Sequence, residues 1–365
     1  IIGYYLSAID IQSGESNVLL FDYSIDFSNC DVEELGNALD VYFSCKEYLD
    51  THNVKKVFLS HAVYINFGIL ARVALERGID VYNPLWERVF HKLSFDHPFP
   101  TLRHSEYPKI FSDLPSKEKK QCRNEAKNIL ESRLKGEIDR GIAYMAHSPY
   151  QNTVKQKNIF LDNGKPKVIL LLHSFFDAPH VFKHMIFEDF YEWLDFVLSR
   201  VDIMDVDLVV KPHPGAIKHT KMHNEDIIND FKSKYPRIRF IDKKISNRQI
   251  ISEGVSALLT VYGSAAHEFA YLGIPVLLAG DNPTAAYKFC YIAKNKEEYE
   301  YYLLNINKIK DKLDLSKSSI EEFFYMHYLH IHMGRVNGNN DIFHVRTREY
   351  SLENRCYWFP DIFLE

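Results

Sequence analysis

The chain is poor in cysteine, has no excess of basic residues and contains no long apolar run. Its five cysteines, Cys30, Cys45, Cys122, Cys290 and Cys356, are odd in number, and no two form a CxxC pair. That excludes a disulfide framework or a cysteine-based zinc site and points to a reducing, cytosolic setting. Lys and Arg total 44 against 49 Asp and Glu, a net charge of −5, so the basic surplus of a general nucleic-acid binder is missing. No apolar stretch approaches the roughly 18 residues of a spanning helix. There is no internal repeat and no low-complexity tract. The chain opens on Ile1 and Ile2 with no basic leader or cleavage pattern, which does not read as a signal peptide. The absent initiator Met is expected to reflect a piece of a longer protein or a processed chain. What is abundant is core material: 46% hydrophobic residues, with 25 Phe, 23 Tyr and 3 Trp. At 365 residues the length suits about two domains of roughly 100–200 residues each.

Helix and strand periodicities alternate along the chain. Residues 54–60 read as a strand, 64–77 as a helix stopped by Gly78, and 79–82 as a second strand, one βαβ unit. Residues 85–115 read as irregular, and Ser116 opens a long polar helix to about Lys135, with Ser116 as its N-cap. A polar stretch, 151–167, holds the expected domain boundary. Beyond it, strands at 168–172, 207–211, 238–241, 255–261 and 274–279 alternate with helices at 186–201, 225–234, 247–253 and 265–272. Runs such as Val168-Ile169-Leu170-Leu171-Leu172 suit strands buried on both faces, and the series describes a doubly wound parallel sheet. The last 85 or so residues read as helical, then aromatic and irregular.

Ligands of open α/β sheets bind beyond the carboxyl ends of the strands, and three motifs fall there. Lys211-Pro212-His213-Pro214-Gly215 holds a cation and an imidazole in a proline-stiffened loop, suited to a phosphate or carboxylate or merely to a stiff turn. Tyr262-Gly263-Ser264-Ala265-Ala266-His267-Glu268 ends a strand and opens a helix. Gly263 permits close backbone approach, Ser264 caps the helix or bonds a phosphate, and Glu268 accepts from ribose hydroxyls or only complements the helix dipole. His173-Ser174-Phe175-Phe176-Asp177-Ala178-Pro179-His180 places a carboxylate and two imidazoles after an apolar strand. Asp177 is a candidate nucleophile or base, or a helix cap. Asp205-Val206-Asp207 reads as loop charge. His327, His330 and His332 sit among aromatics and read as packing, as do Tyr287, Phe289 and Tyr291, whose other reading is a nucleotide-base border. Tyr150, Arg133 and His61 are candidates to reach the cleft from the first domain. No metal cluster stands out.

In chain order the motifs run His173–His180, then Phe190-Tyr191-Glu192-Trp193-Leu194, then Lys211–Gly215, then Tyr262–Glu268 followed by Leu272-Gly273-Ile274-Pro275, and over about 165–292 this series resembles the bacterial capsule and O-antigen retaining β-Kdo glycosyltransferases. These use CMP-Kdo; Kdo is an eight-carbon acidic 2-keto sugar. In the first half only Ser60-His61-Ala62-Val63-Tyr64 and Arg133-Leu134-Lys135-Gly136 share the pattern. The resemblance implies a GT-B-like α/β fold of two Rossmann-like domains facing a cleft. Residues 1–155 would form the acceptor side, 156–315 the nucleotide-sugar side, and 316–365 a tail packing back across both. It implies Asp177, His213 and Lys211 as catalytic residues, and Lys211, His213, Gly263, Ser264, Glu268, His173 and Arg133 as donor contacts. It implies double displacement through a covalent Asp177–Kdo ester. No cofactor is implied; the partners are a CMP-sugar donor, a saccharide acceptor of lipopolysaccharide or capsule type and, for a fragment, other domains of a larger assembly protein. The implied location is cytoplasmic, at the inner membrane face through a partner or a segment outside this chain. CMP-sialic-acid-type sugars and CDP-glycerol are alternative donors; a UDP-sugar enzyme or epimerase ranks lower. A non-catalytic nucleotide- or glycan-binding domain is the reading from another class.

Overall fold

In the computed structural model the described residues are 32–59, 62–86, 89–94, 104–142, 145, 147–151, 154–175, 177, 185–213, 224–330 and 342–344. His61, His180, His332, Pro214 and Gly215 lie outside them. The first sheet is preceded by helix α1 (Val32–Thr51) and holds β1 (Lys56–Phe58), β2 (Asp80–Trp86), β3 (Val89–Lys92) and β10 (Ile342–His344) in the order β1-β2-β3-β10. Helix α2 (Ile65–Glu76) makes the crossover between the parallel β1 and β2. The pairs β2–β3 and β3–β10 are antiparallel. Among the described residues the first sheet is thus an α/β unit, parallel at β1–β2, with antiparallel strands added at one edge. Only residues 87 and 88 separate β2 from β3, whereas a parallel crossover takes a dozen residues or more. Pro84 interrupts the hairpin's register between Pro84 and Trp86, because proline has no amide to give the ladder.

Helices α3 (Tyr107–Ser112) and α4 (Ser116–Leu134) follow. Pro115, not Ser116, stands at the N-cap of α4. The second sheet has six strands, β4 (Lys167–Leu171), β5 (Asp207–Lys211), β6 (Arg239–Phe240), β7 (Ala257–Thr260), β8 (Val276–Leu278) and β9 (Tyr291–Ile292). Their order is β6-β5-β4-β7-β8-β9, and every pair is parallel. The chain winds outward one way from β4 and then the other way from β7, the doubly wound pattern. The connecting helices are α5 (Phe190–Leu198), α6 (Asn224–Lys234), α7 (Asn247–Ser252) and α8 (Ala265–Tyr271); after β9 come α9 (Lys296–Leu304), α10 (Lys317–Phe324) and a π-turn over Tyr325–Leu329.

Alternation along the strands sorts the second sheet's core into two layers. Val168, Leu170, Leu208, Val210 and Leu259 pack with Trp193, Leu194 and Val197 of α5 and Tyr299 and Leu303 of α9. Ile169, Val209, Leu258, Val276 and Leu278 face α8, with Ala126 and Leu130 of α4 and Phe323 and Phe324 of α10. Side chains on β4 such as Ile169 and Leu170 are fully buried, and each contributes about 1.5–3 kcal/mol by leaving water. Helices α3 and α4 therefore share the second sheet's core, although both precede the stretch 151–167. The first sheet's core is smaller: Ala38, Leu59, Ala71, Val73, Ala74 and Val81 are among its members. Among the described residues no helix is long and apolar enough to cross a membrane.

Trp193 is fully buried and its indole Nε1 donates to the Tyr299 hydroxyl at 2.8 Å. Tyr299→Phe leaves that donor unpaired inside the core. Chemical denaturation is expected to show a loss of about 1–3 kcal/mol.

Candidate functional site

The loops after β4 and β7 meet where the strand order reverses, the place a doubly wound sheet leaves open for a ligand. His173 leaves β4 and reaches across. Its Nε2 accepts the Tyr262 backbone N–H at 3.1 Å and lies 3.2 Å from Thr260 Oγ1. Its ring stacks on Phe190, centroids 4.8 Å apart, and leans on Tyr262 at 4.5 Å. Burial, then the charge of His213, holds the imidazole down at about 3. It is therefore neutral, with its proton on Nδ1. His173, expected as a donor contact, is here the brace that joins the two loops. Gly263 follows with φ at 126°, and a Cβ there would lie 3.3 Å from His173 Cε1. Glycine keeps this turn open.

Asp177 stands four residues beyond His173. Its N–H donates to the Ser174 carbonyl at 3.0 Å, closing a turn, and the residue is exposed. Asn224, the first residue of α6, clamps the loop. Its Oδ1 accepts from Phe175 N–H at 2.9 Å and its Nδ2 donates to Ser174 Oγ at 3.1 Å. Tyr64 and Tyr262 both lie within the field of Asp177. Burial first, then the negative charge of Asp177, raises the hydroxyl pKa of each, and Tyr64 adds to the shift at Tyr262. Tyr64 is 47% exposed and opens α2 with φ 66° and ψ 158°, a region that is essentially glycine's. His213 is exposed on the loop after β5 and within electrostatic reach of His173. The structure thus gathers Asp177, His173, His213, Tyr262, Gly263 and Tyr64.

Other expected site residues lie elsewhere. Lys211 is 4% exposed, its Nζ donating to Asn247 Oδ1 at 2.7 Å. Burial pulls its pKa down to about 8, with Asp242 opposing. Its ammonium serves the interior rather than an open face. Arg133 and Glu268, expected as separate donor contacts, meet each other: Arg133 Nη1 donates to Glu268 Oε1 at 3.2 Å, and both are buried. Arg133 also forks onto Asp139 at 2.6 and 2.7 Å, and Tyr150 donates its hydroxyl to Glu268 Oε2 at 2.9 Å. Burial opposes the Arg133 charge, but the hydrogen bonds to Asp139 and the charges of Tyr328, Glu268 and Asp139 outweigh it and raise its pKa. Tyr150, a candidate for the cleft, belongs to the same buried group. Ser264 stands at the N-cap of α8 without a side-chain capping bond.

The remaining candidates pack. His327 lies flat on Phe323, centroids 5.2 Å apart, with Nδ1 3.2 Å from the Tyr107 hydroxyl. Phe289 is fully buried against Phe323, and the Tyr291 hydroxyl donates to Glu298. Asp207 is not loop charge. It begins β5 buried, paired with Arg239 and accepting the Leu161 N–H at 2.6 Å. Asn224 and Asn247 carried no sequence signal as site residues, and Tyr64 entered only as the last residue of the 60–64 segment that shares the family pattern. Among the described residues no group of three or more His, Cys, Asp or Glu could hold a metal.

No protein-family model matches the sequence, and no curated protein does. Solved structures do. The chain is similar in fold to the β-Kdo 2,4 transferase of Thermosulfurimonas dismutans KpsC, at 12% identity over 82% of this chain and 88% of that one, TM-score 0.43. The β-Kdo 2,7 transferase of the same KpsC matches at 11% identity over the same shares, TM-score 0.40. UDP-GlcNAc 2-epimerase of Methanocaldococcus jannaschii, in complex with UDP-GlcNAc and UDP, matches at 11% over 78% of each chain, TM-score 0.29. At these identities the likeness is one of fold.

The neutral histidines set a pH dependence. The folded pKa of His173 is about 3 and that of His104 about 4, against 6.5 for the free side chain. Burial lowers His267 and His327 as well. The unfolded chain therefore binds more protons as pH falls below about 6.5, and stability falls with it. Each such histidine contributes up to about 1.4 kcal/mol per pH unit. Calorimetry between pH 7 and pH 4 is expected to show Tm falling throughout, less steeply in His173→Gln.

Proposed function

We propose that this chain is a glycosyltransferase that moves Kdo from CMP-β-Kdo to a hydroxyl of a growing bacterial surface polysaccharide, with retention and with Asp177 as nucleophile. The observation that carries the reading is the position of Asp177. It is an exposed carboxylate beyond β4, at the reversal of strand order, with its field felt by Tyr262 from the β7 loop and by Tyr64. The order of the sequence motifs supports the choice of donor.

In the first step a carboxylate oxygen of Asp177 attacks the anomeric carbon. The bond from that carbon to the phosphate oxygen breaks, and CMP departs with the bonding electrons. In the second the acceptor oxygen attacks the same carbon and displaces Asp177. Two inversions give retention, the logic of a carboxylate nucleophile. CMP is a good leaving group, so the remaining demand is charge stabilisation and positioning. His213 is assigned to the donor phosphate in the first step. In the second it takes the acceptor's proton, a task suited to an imidazole. Gly263 and Ser264 are assigned to the phosphate from the β7 loop. Lys211 is a positioning residue, acting through Asn247. Arg133 and Glu268 are occupied with each other, so in this reading neither touches the donor.

The test is an intact-mass measurement after mixing with fresh CMP-Kdo and no acceptor, with CMP-sialic acid and CDP-glycerol in parallel. The expected result is an adduct of one Kdo residue, absent in Asp177→Ala. An adduct that persists in Asp177→Ala overturns the choice of residue. No adduct with any donor overturns covalent double displacement and leaves a nucleotide-binding domain or direct displacement as the reading.

A further inference from the structure

A cavity of about 450 Å³ opens between the segment 155–157 and helix α7. It is lined by Lys155, Gln156, Lys157, Arg248, Gln249 and Ser252, and shares no residue with the site above. Three of the six are cations and none is a carboxylate. Lys155, Lys157 and Arg248 are all exposed, and among the described residues none of their charged ends has an acidic partner. In a chain of net charge −5 such a cluster stands against the general field.

The frame around the cavity is fixed. Ser246 Oγ accepts the Arg248 N–H at 3.1 Å and caps α7. The Asn247 N–H donates to the Pro149 carbonyl at 2.8 Å, and Ile250 is fully buried beneath the helix. Val154 bridges Ile245 and holds the neighbouring segment in line. The Gln249 amide is oriented, because its Nε2 donates to the Gln156 carbonyl. Among the described residues Gln249 Oε1 is buried with no hydrogen-bond partner.

We propose that this cavity binds an acidic saccharide unit. The cations take its carboxylates, and the methylene stems of Lys and Arg suit the apolar face of a sugar ring. The volume lies in the range of small-molecule sites, roughly 300–1,000 Å³, enough for one or two sugar units. Arg248 follows directly on Asn247, the residue that holds Lys211, so the cavity adjoins the support of the transfer site. An acidic acceptor chain can be held here while its end is extended. That saccharides are the relevant anions rests on the function proposed above; the preference for anions does not.

Isothermal titration of the full chain at low salt tests this, with tetragalacturonic acid as probe, and maltotetraose and inorganic phosphate as comparators. The variant is Lys155→Ala/Lys157→Ala/Arg248→Ala, with folding checked by circular dichroism and CMP binding measured alongside. Tetragalacturonic acid is expected to bind the native chain and to bind the variant at least about tenfold more weakly, the loss of one charge-assisted contact or more. Added salt is expected to weaken it and maltotetraose to bind poorly. Equal affinity for variant and native chain, or no binding to the native chain, overturns the proposal. Phosphate or maltotetraose binding as tightly as tetragalacturonic acid overturns the acidic-saccharide assignment. If CMP fails to bind the native chain while tetragalacturonic acid still needs the three cations, the donor reading fails and this cavity stands.

Discussion

The parallel pairing of β4 with β7 is the constraint on which the rest depends. Val168 to Leu170 align with Ala257 to Leu259, and the chain winds away in opposite directions on either side. Every crossover therefore leaves these two strands with diverging loops at their carboxyl ends. A gap at that point is topological and needs no special residue. What the sequence adds is the brace across it, His173 accepting the Tyr262 amide. The brace requires a lone pair on Nε2, so it requires a neutral ring, and burial against Phe190 and Tyr262 keeps the ring neutral. With the loop bases locked and Asn224 clamping the turn, Asp177 is held at the rim while its backbone is spent on the turn.

A second constraint ties α4 to α8. Arg133 is fully buried between Asp139 and Glu268, with its guanidinium over the rings of Phe324 at 4.9 Å and Tyr328 at 4.7 Å. Gly141 leaves the room: a Cβ there would come within 2.6 Å of both Arg133 and Tyr328. Such a cluster is a poor source of net stability but costly to break, about 3–5 kcal/mol when one partner is removed. It fixes how residues 116–142 seat on the second sheet. The face of α8 that begins beside the site is therefore anchored from below.

The legible parts of the fold were those with strong periodicity. Continuous apolar runs marked β4, β5, β7 and β8, and those strands are buried on both faces. The two-residue β9 is too short for a pattern, and β3 sits in a stretch where Pro84 and several histidines mask a hairpin. Helix α1 is amphipathic only weakly, with Val32, Phe43 and Tyr48 exposed. In the site, strand-end motifs located the loops of Asp177, His213 and Gly263. They could not tell which polar groups face inward. Arg133, Glu268 and Lys211 have the chemistry of ligand contacts, yet long-range packing gives them to Asp139, Tyr150 and Asn247. The reverse holds for Asn224, 50 residues from Ser174 in sequence, since only the fold brings them together.

The proposed place for the nucleotide is the reversal of strand order. Amide NMR of the labelled chain titrated with CMP tests it most directly. The account expects the largest shifts in residues 172–177, 211–213 and 262–264, with the buried Arg133–Glu268 region little moved. Saturation with those amides unmoved and the largest shifts elsewhere would contradict it.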